Sequence, residues 1–185
     1  MLILKSASPR RQQILKGLKL NFKVEPSHIN EDLKEKESPL SYLERVTIAK
    51  LEIEKCRIDS VYISSDTIVV LENEILGKPK DFSEGIKILS LLAGKSHSVY
   101  SGIGIWKNGK TNFDYDETKV EFKPWGKEEI EKYLNQFKPY DKAGAYGIQD
   151  EGGPVLEFKG SYSNVLGFPI RRFYQHFALW KEFLC

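Results

Sequence analysis

Only two cysteines, Cys56 and Cys185, occur among the 185 residues. They are far apart and lack metal-ligand spacing, which fits a reduced intracellular protein and gives no zinc cluster. His28, His97 and His176 are scattered and add no ligand pattern. No apolar run approaches the roughly 20 residues of a membrane span, and strand-like residues begin beside Met1, so neither a membrane anchor nor a signal peptide is expected. Charge of one sign is also missing. Lys and Arg total 28 against 26 Asp and Glu, a formal charge of +2, which argues against wholesale nucleic-acid binding. Repeats, low-complexity tracts and linkers are absent, so one domain over residues 1–185 is expected. A Gly-x-x-x-x-Gly-Lys-Ser/Thr loop is absent too, which excludes a P-loop nucleotide hydrolase. The ten Phe, nine Tyr and three Trp could stack on bases, but most stand at core-like spacing, as in "FYQHFALWKEF".

What remains is an alternation of strand and helix signals, hence an α/β protein with a mixed sheet. "MLIL" reads as a strand and residues 9–20 as a helix, with Ser8 at its N-cap and Pro9 at its first position. "FKVEPS" is a short strand, and "HINEDLKEKE" a polar loop. "SPLSYLERVTIAKLEIEKC" is a helix capped by Ser38 and Pro39. "VYISSDTIVV" is β-branched and reads as a buried central strand. A hairpin turn follows at Asn73, then a helix closed by Gly94. Two strands flank the Asn-Gly of "KNGK", a strong hairpin signal. "GKEEIEKYLNQF" is an amphipathic helix, "PVLEF" a strand in a turn-rich stretch, and "PIRRFYQHFALWKEFL" a terminal helix.

Several polar residues stand where this pattern does not call for them. Arg10 and Arg11 follow Ser8 and Pro9 in the first turn of a helix, where the dipole disfavours cations. They are either solvated surface residues or grips for an anion seated on the helix start. Asp66 interrupts the most strand-like segment. It either ends the strand at a turn or is a buried carboxylate that is paired, hydrogen-bonded or metal-bound. Lys50 lies on the inward stripe of Leu43, Val46 and Ile53, so it snorkels to water at the stripe's edge or enters a cleft. Lys78 sits in the turn "LGKPKD". Glu31 is a loop acid with Asp32 as its rival. "DKAGAYGIQDEGG" is a glycine-rich loop that lets backbone approach a ligand, and its Gln149 amide can both donate and accept. Several cations, a buried acid and an amide suggest a polyphosphate ligand with a divalent ion.

The pieces "SASPRR", "SSDTIVV", "LGKP", "GKSHSVYSG", "DKAGAYGIQ" and "GSYSNVLGFPI" occur in order along nearly the whole chain. With them the chain resembles the Maf proteins, also called septum-formation inhibitors. The resemblance implies an elongated, bent mixed β-sheet flanked by helices, two lobes with a cleft between them, and a homodimer. It implies hydrolysis of a nucleoside triphosphate between its α- and β-phosphates, with Mg²⁺ or Mn²⁺ as cofactor. Asp66 matches the catalytic acid. Arg11, Thr67 and Gln149 match positions tied to substrate selection, and Ser8, Arg10, Glu31, Lys50 and Lys78 match other cleft positions. Glu31 and Asp66 would hold the metal. "DT" with "GAYGIQ" resembles the branch acting on dTTP and UTP rather than on 7-methyl-GTP, with 5-modified pyrimidine triphosphates as further substrates. The implied role is cytoplasmic house-cleaning of the nucleotide pool. A non-catalytic, nucleotide-sensing regulator of septum formation is the alternative. Lys5, where the family often has alanine, is a departure.

Overall fold

A computed structural model describes residues 1–184; Cys185 lies outside the described residues. The chain packs as two compact units. The first comprises residues 1–66, 101–116 and the stretch from Gly167 onward, and the second residues 67–100 and 117–166.

In chain order the first elements are β1 (Leu2–Leu4), α1 (Pro9–Gly17), β2 (Lys23–Val24) and α2 (Pro39–Ala49). Next come β3 (Val61–Leu71), β4 (Glu74–Leu76), α3 (Phe82–Leu92), β5 (Ser96–Lys107) and β6 (Lys110–Phe122). Then follow α4 (Lys127–Phe137), β7 (Val155–Lys159), α5 (Tyr162–Leu166), α6 (Ile170–Gln175) and α7 (Phe177–Trp180). Among the described residues the strands form one mixed seven-stranded sheet in the order β2-β1-β3-β5-β6-β7, with β4 pairing β3. β1 runs parallel to β2 and to β3, whereas β4 is antiparallel to β3 and β7 to β6. The α/β class and mixed sheet expected from the alternating pattern are what the chain adopts.

Local chemistry accounts for most element boundaries. The Ser38 hydroxyl accepts from the Ser41 amide at 3.2 Å, and the Asp81 carboxylate from the Glu84 amide at 2.8 Å, capping α2 and α3. Glu72 and Asn73 take φ of 49° and 72°, and Asn108 and Gly109 take 50° and 78°. These left-handed pairs are what a two-residue hairpin with the right twist requires. Every residue of β3 is buried except half-buried Thr67, which explains its near-continuous apolar and small character.

Each unit has its own core. In the first, Leu2, Leu4, Leu15, Val61, Ile63, Ile103 and Ile105 pack with Phe168, Phe173 and Trp180. In the second, Val69, Ile88, Leu89, Leu92 and Val120 pack with Phe122, Leu134 and Tyr146.

Three expectations need correction. Ser8 stands at the N-cap of α1, but its side chain makes no capping hydrogen bond. The second helix stops at Ala49 rather than running to Cys56, because Glu52 turns left-handed (φ 49°) ahead of a single 3-10 turn. The terminal helix is not continuous. It breaks at His176, which lets Phe173 and Trp180 stack at 4.1 Å and lets the Trp180 indole donate to the Phe173 carbonyl. Seven residues of straight helix would separate them by about 10 Å along the axis. The aromatic cluster therefore packs inside the first unit.

Candidate active site

Asp66 sits within β3, not at its end, and is 8% exposed. A charge so placed must have a partner, and the partner is Lys50. Lys50 follows the last residue of α2 and is itself 8% exposed. Its ammonium lies 2.6 Å from Asp66 Oδ1 and 3.0 Å from Glu31 Oε2. Leu43 and Val46 of the expected stripe are buried, whereas Ile53 lies beyond α2 and is exposed; Lys50 meets two acids instead of snorkelling. Of the two loop acids, Glu31 is the one whose carboxylate pairs with Lys50. Asp32 instead offers its carbonyl to Arg45 and its amide to the Asn30 side chain. The loop is held by the Tyr42 hydroxyl, which donates to the Glu31 carbonyl at 2.9 Å. Burial, together with the charges of Asp66 and Glu31, pushes the Tyr42 phenol up to about 12, so it remains a donor.

Arg11 is oriented by a second set of contacts. Its Nε donates to the Gly167 carbonyl at 2.9 Å and a terminal nitrogen donates to Ser6 Oγ at 3.1 Å. Ser65 Oγ donates to the same Gly167 carbonyl at 3.3 Å. Burial lowers the Arg11 pKa from its ordinary value, while the negative charges of Asp66 and Glu31 counter the shift. Arg10 opposes Arg11 with like charge. The first unit therefore gathers Arg10, Arg11, Glu31, Lys50 and Asp66 into one electrostatic neighbourhood, with Ser8 half-buried at the start of α1.

Ser6 was missed. It is 8% exposed and its Oγ accepts from both the Arg11 side chain and the Ser8 amide. No local spacing rule signals this, because Ser6 lies outside the helix. The serines of "SSD" are explained too: Ser64 Oγ donates to the Thr47 carbonyl at 2.6 Å, and Ser65 supports Gly167. Lys5, the departure from the family pattern, makes a 2.8 Å ion pair with Glu52.

Thr67, Lys78 and Gln149 belong to the second unit. Lys78 and Gln149 are exposed and their segments are joined, since the Gly144 amide donates to the Gly77 carbonyl at 3.0 Å. Gly144 has φ 71°, and a Cβ there would lie 2.9 Å from a Val69 methyl. Glycine is required there by conformation and by contact.

Asp66 and Glu31 direct carboxylate oxygens at one point, now held by the Lys50 ammonium. Two hard oxygen donors fit Mg²⁺ or Mn²⁺, which commonly take one or two carboxylates and fill other positions with water and phosphate oxygens. Among the described residues, no group of three or more His, Cys, Asp or Glu could hold a metal alone. Nor is any helix long and apolar enough to cross a membrane.

The protein is of the α/β class, and it carries a lysine-bridged acid pair in one electrostatic neighbourhood with an anchored arginine, Arg11. The family description "Maf-like protein" matches residues 1–179, and the chain belongs to the Maf family. It is 50% identical to the dTTP/UTP pyrophosphatase of Leptospira interrogans, over 100% of this chain and 97% of that protein. The proteins of the same name from Thermosipho africanus and Aquifex aeolicus are 42% and 38% identical. These cover 98% and 94% of this chain, and 93% and 92% of their own lengths. A Coxiella burnetii HAM1 protein shares the fold, with a TM-score of 0.50 at 16% identity over 67% of this chain and 73% of that one.

Proposed function

We propose that this chain hydrolyses dTTP and UTP to the nucleoside monophosphate and pyrophosphate. The observation that carries the proposal is the Lys50 ammonium held between Asp66 and Glu31, with Arg11 in the same electrostatic neighbourhood. The relatives' names support the substrate class.

Asp66 orients the attacking water and accepts its proton as the water oxygen bonds the α-phosphorus and the bond to the departing pyrophosphate breaks. A carboxylate beside an ammonium is a weak base, so positioning outweighs proton abstraction. Lys50, Arg10 and Arg11 bind the phosphates and stabilise charge on the departing pyrophosphate, as Lys78 does from its turn. Ser8 lies at the α1 start, where backbone amides donate to phosphate oxygens. Asp66 and Glu31 would hold a divalent ion, which when bound would supply Lewis-acid polarisation and lower the pKa of water. Thr67 and Gln149 read the base. One amide can donate to O4 and accept from N3–H of uracil or thymine. Cytosine reverses both partners, which costs on the order of 1–3 kcal/mol, roughly 5- to 150-fold.

The same reading includes 5-modified pyrimidine triphosphates as substrates and a single nucleotide-hydrolysing domain. It places the protein in the cytoplasm as a homodimer. The test is pyrophosphate release from dTTP, UTP, dCTP, 5-methyl-UTP and 7-methyl-GTP with Mg²⁺ or Mn²⁺. Asp66→Asn is expected to fold and bind nucleotide but turn over at least about 100-fold more slowly. Near-normal turnover by that variant removes Asp66 from the mechanism. Nucleotide binding by the wild type without any pyrophosphate release supports a sensor instead.

A further inference from the structure

Gln149 is exposed, on a glycine-rich segment, yet reading a base edge requires an amide held in one place. The second unit contains a device suited to that. Residues 147–150 form a turn in which the Asp150 amide donates to the Gly147 carbonyl at 3.2 Å. Gln149 is the third residue of this turn. Both of its ends are pinned to one atom, the hydroxyl oxygen of Tyr133. That hydroxyl donates to Asp150 Oδ2 at 2.5 Å and accepts from the Gly147 amide at 3.0 Å. The Gly147 amide also donates to Asp150 Oδ2 at 3.1 Å, and the Gly153 amide to the Asp150 carbonyl at 3.0 Å.

Tyr133 is a rigid anchor. It is 3% exposed on α4, and its ring lies 5.0 Å from Phe137 and 5.6 Å from Trp125. Burial, reinforced by the bond to Asp150, pushes its phenol well above the usual range, so it stays protonated. The residue before the turn is tied as well, since His97 Nε2 lies 2.9 Å from the Tyr146 hydroxyl. The Gln149 amide folds back over Gly147. A Cβ at position 147 would stand 2.5 Å from Gln149 Nε2 and 2.8 Å from Asp150 Oδ1.

We infer that Tyr133 and Asp150 are positioning residues that set base selection by holding the Gly147–Asp150 turn and, with it, the Gln149 amide. The inference rests on the base-reading role proposed above for Gln149. Tyr133 and Asp150 need touch no substrate. Releasing the turn lets the amide sample orientations in which its donor and acceptor are exchanged, which admits cytosine.

The experiment compares kcat/KM for dTTP and dCTP in wild type, Tyr133→Phe, Gly147→Ala and Gln149→Ala. Tyr133→Phe keeps the ring packing and removes only the hydroxyl. It is expected to lower the dTTP-to-dCTP ratio by roughly 10-fold, chiefly through a higher KM for dTTP. Gly147→Ala, which drives a methyl into the amide, is expected to lower the same ratio. Hydrogen exchange at residues 147–150 is expected to quicken in Tyr133→Phe. A merely structural role would depress both substrates alike and leave the ratio unchanged, and that result overturns the inference. If Gln149→Ala erodes the ratio while Tyr133→Phe does not, only the clamp falls. If Gln149→Ala leaves the ratio intact, the base-reading role falls, and the inference with it.

Discussion

Acidification should destabilise this protein through one buried histidine. His97 is 3% exposed in the core of the second unit, edge-on to Phe122 at 4.8 Å. Its Nε2 meets the Tyr146 hydroxyl, and its Nδ1 is buried without a partner. Burial disfavours a second ring proton and pulls the His97 pKa from 6.5 down to about 4. The unfolded chain therefore takes up a proton near pH 6.5 that the folded chain refuses until about pH 4. This contribution to stability is complete above the unfolded value. It drains as pH falls towards the folded one. Between pH 7 and 4.5 the loss is about 2 kcal/mol, from the populations set by those two values. The assay is urea unfolding at both pH values for wild type and His97→Gln, whose amide does not titrate. The variant should lose about 2 kcal/mol less than wild type over that interval. Glu37 and Glu52, held at about 2 by hydrogen bonds from Arg45 and Lys5, lose their contributions between pH 4.5 and 2. That window lies lower and is common to both proteins. Equal losses in wild type and variant between pH 7 and 4.5 would refute the argument.

Two further outcomes follow from contacts already described. Lys50→Met removes the ammonium that now fills the point shared by Asp66 and Glu31. It should bind Mn²⁺ without nucleotide at least about 10-fold more tightly than wild type, because like charge no longer competes. Mn²⁺ titration followed by electron paramagnetic resonance checks this, and unchanged or weaker binding contradicts it. Gly144→Ala combines a left-handed backbone with a 2.9 Å approach to Val69, so urea unfolding should show a loss of about 1–3 kcal/mol.

The sequence alone determined the strand and helix alternation, the two Asn-centred hairpins and the burial of the Asp66 strand. These depend on periodicity and backbone preference, which act over a few residues and are read locally. It also singled out Asp66 and Lys50, because a charge inside an apolar pattern conflicts with its neighbours at short range. Only the tertiary structure decided that Lys50 bridges Asp66 and Glu31, with Asp32 turned to Arg45 through its carbonyl. It alone placed Ser6 and the Gly167 carbonyl on Arg11, and Tyr133 on the turn of Gln149. It alone broke the terminal helix so that Phe173 could stack on Trp180. Each of these joins residues through a contact whose direction depends on how separate elements pack. Arg11 and Gly167 lie 156 positions apart, and no local propensity records which carbonyl a guanidinium will meet.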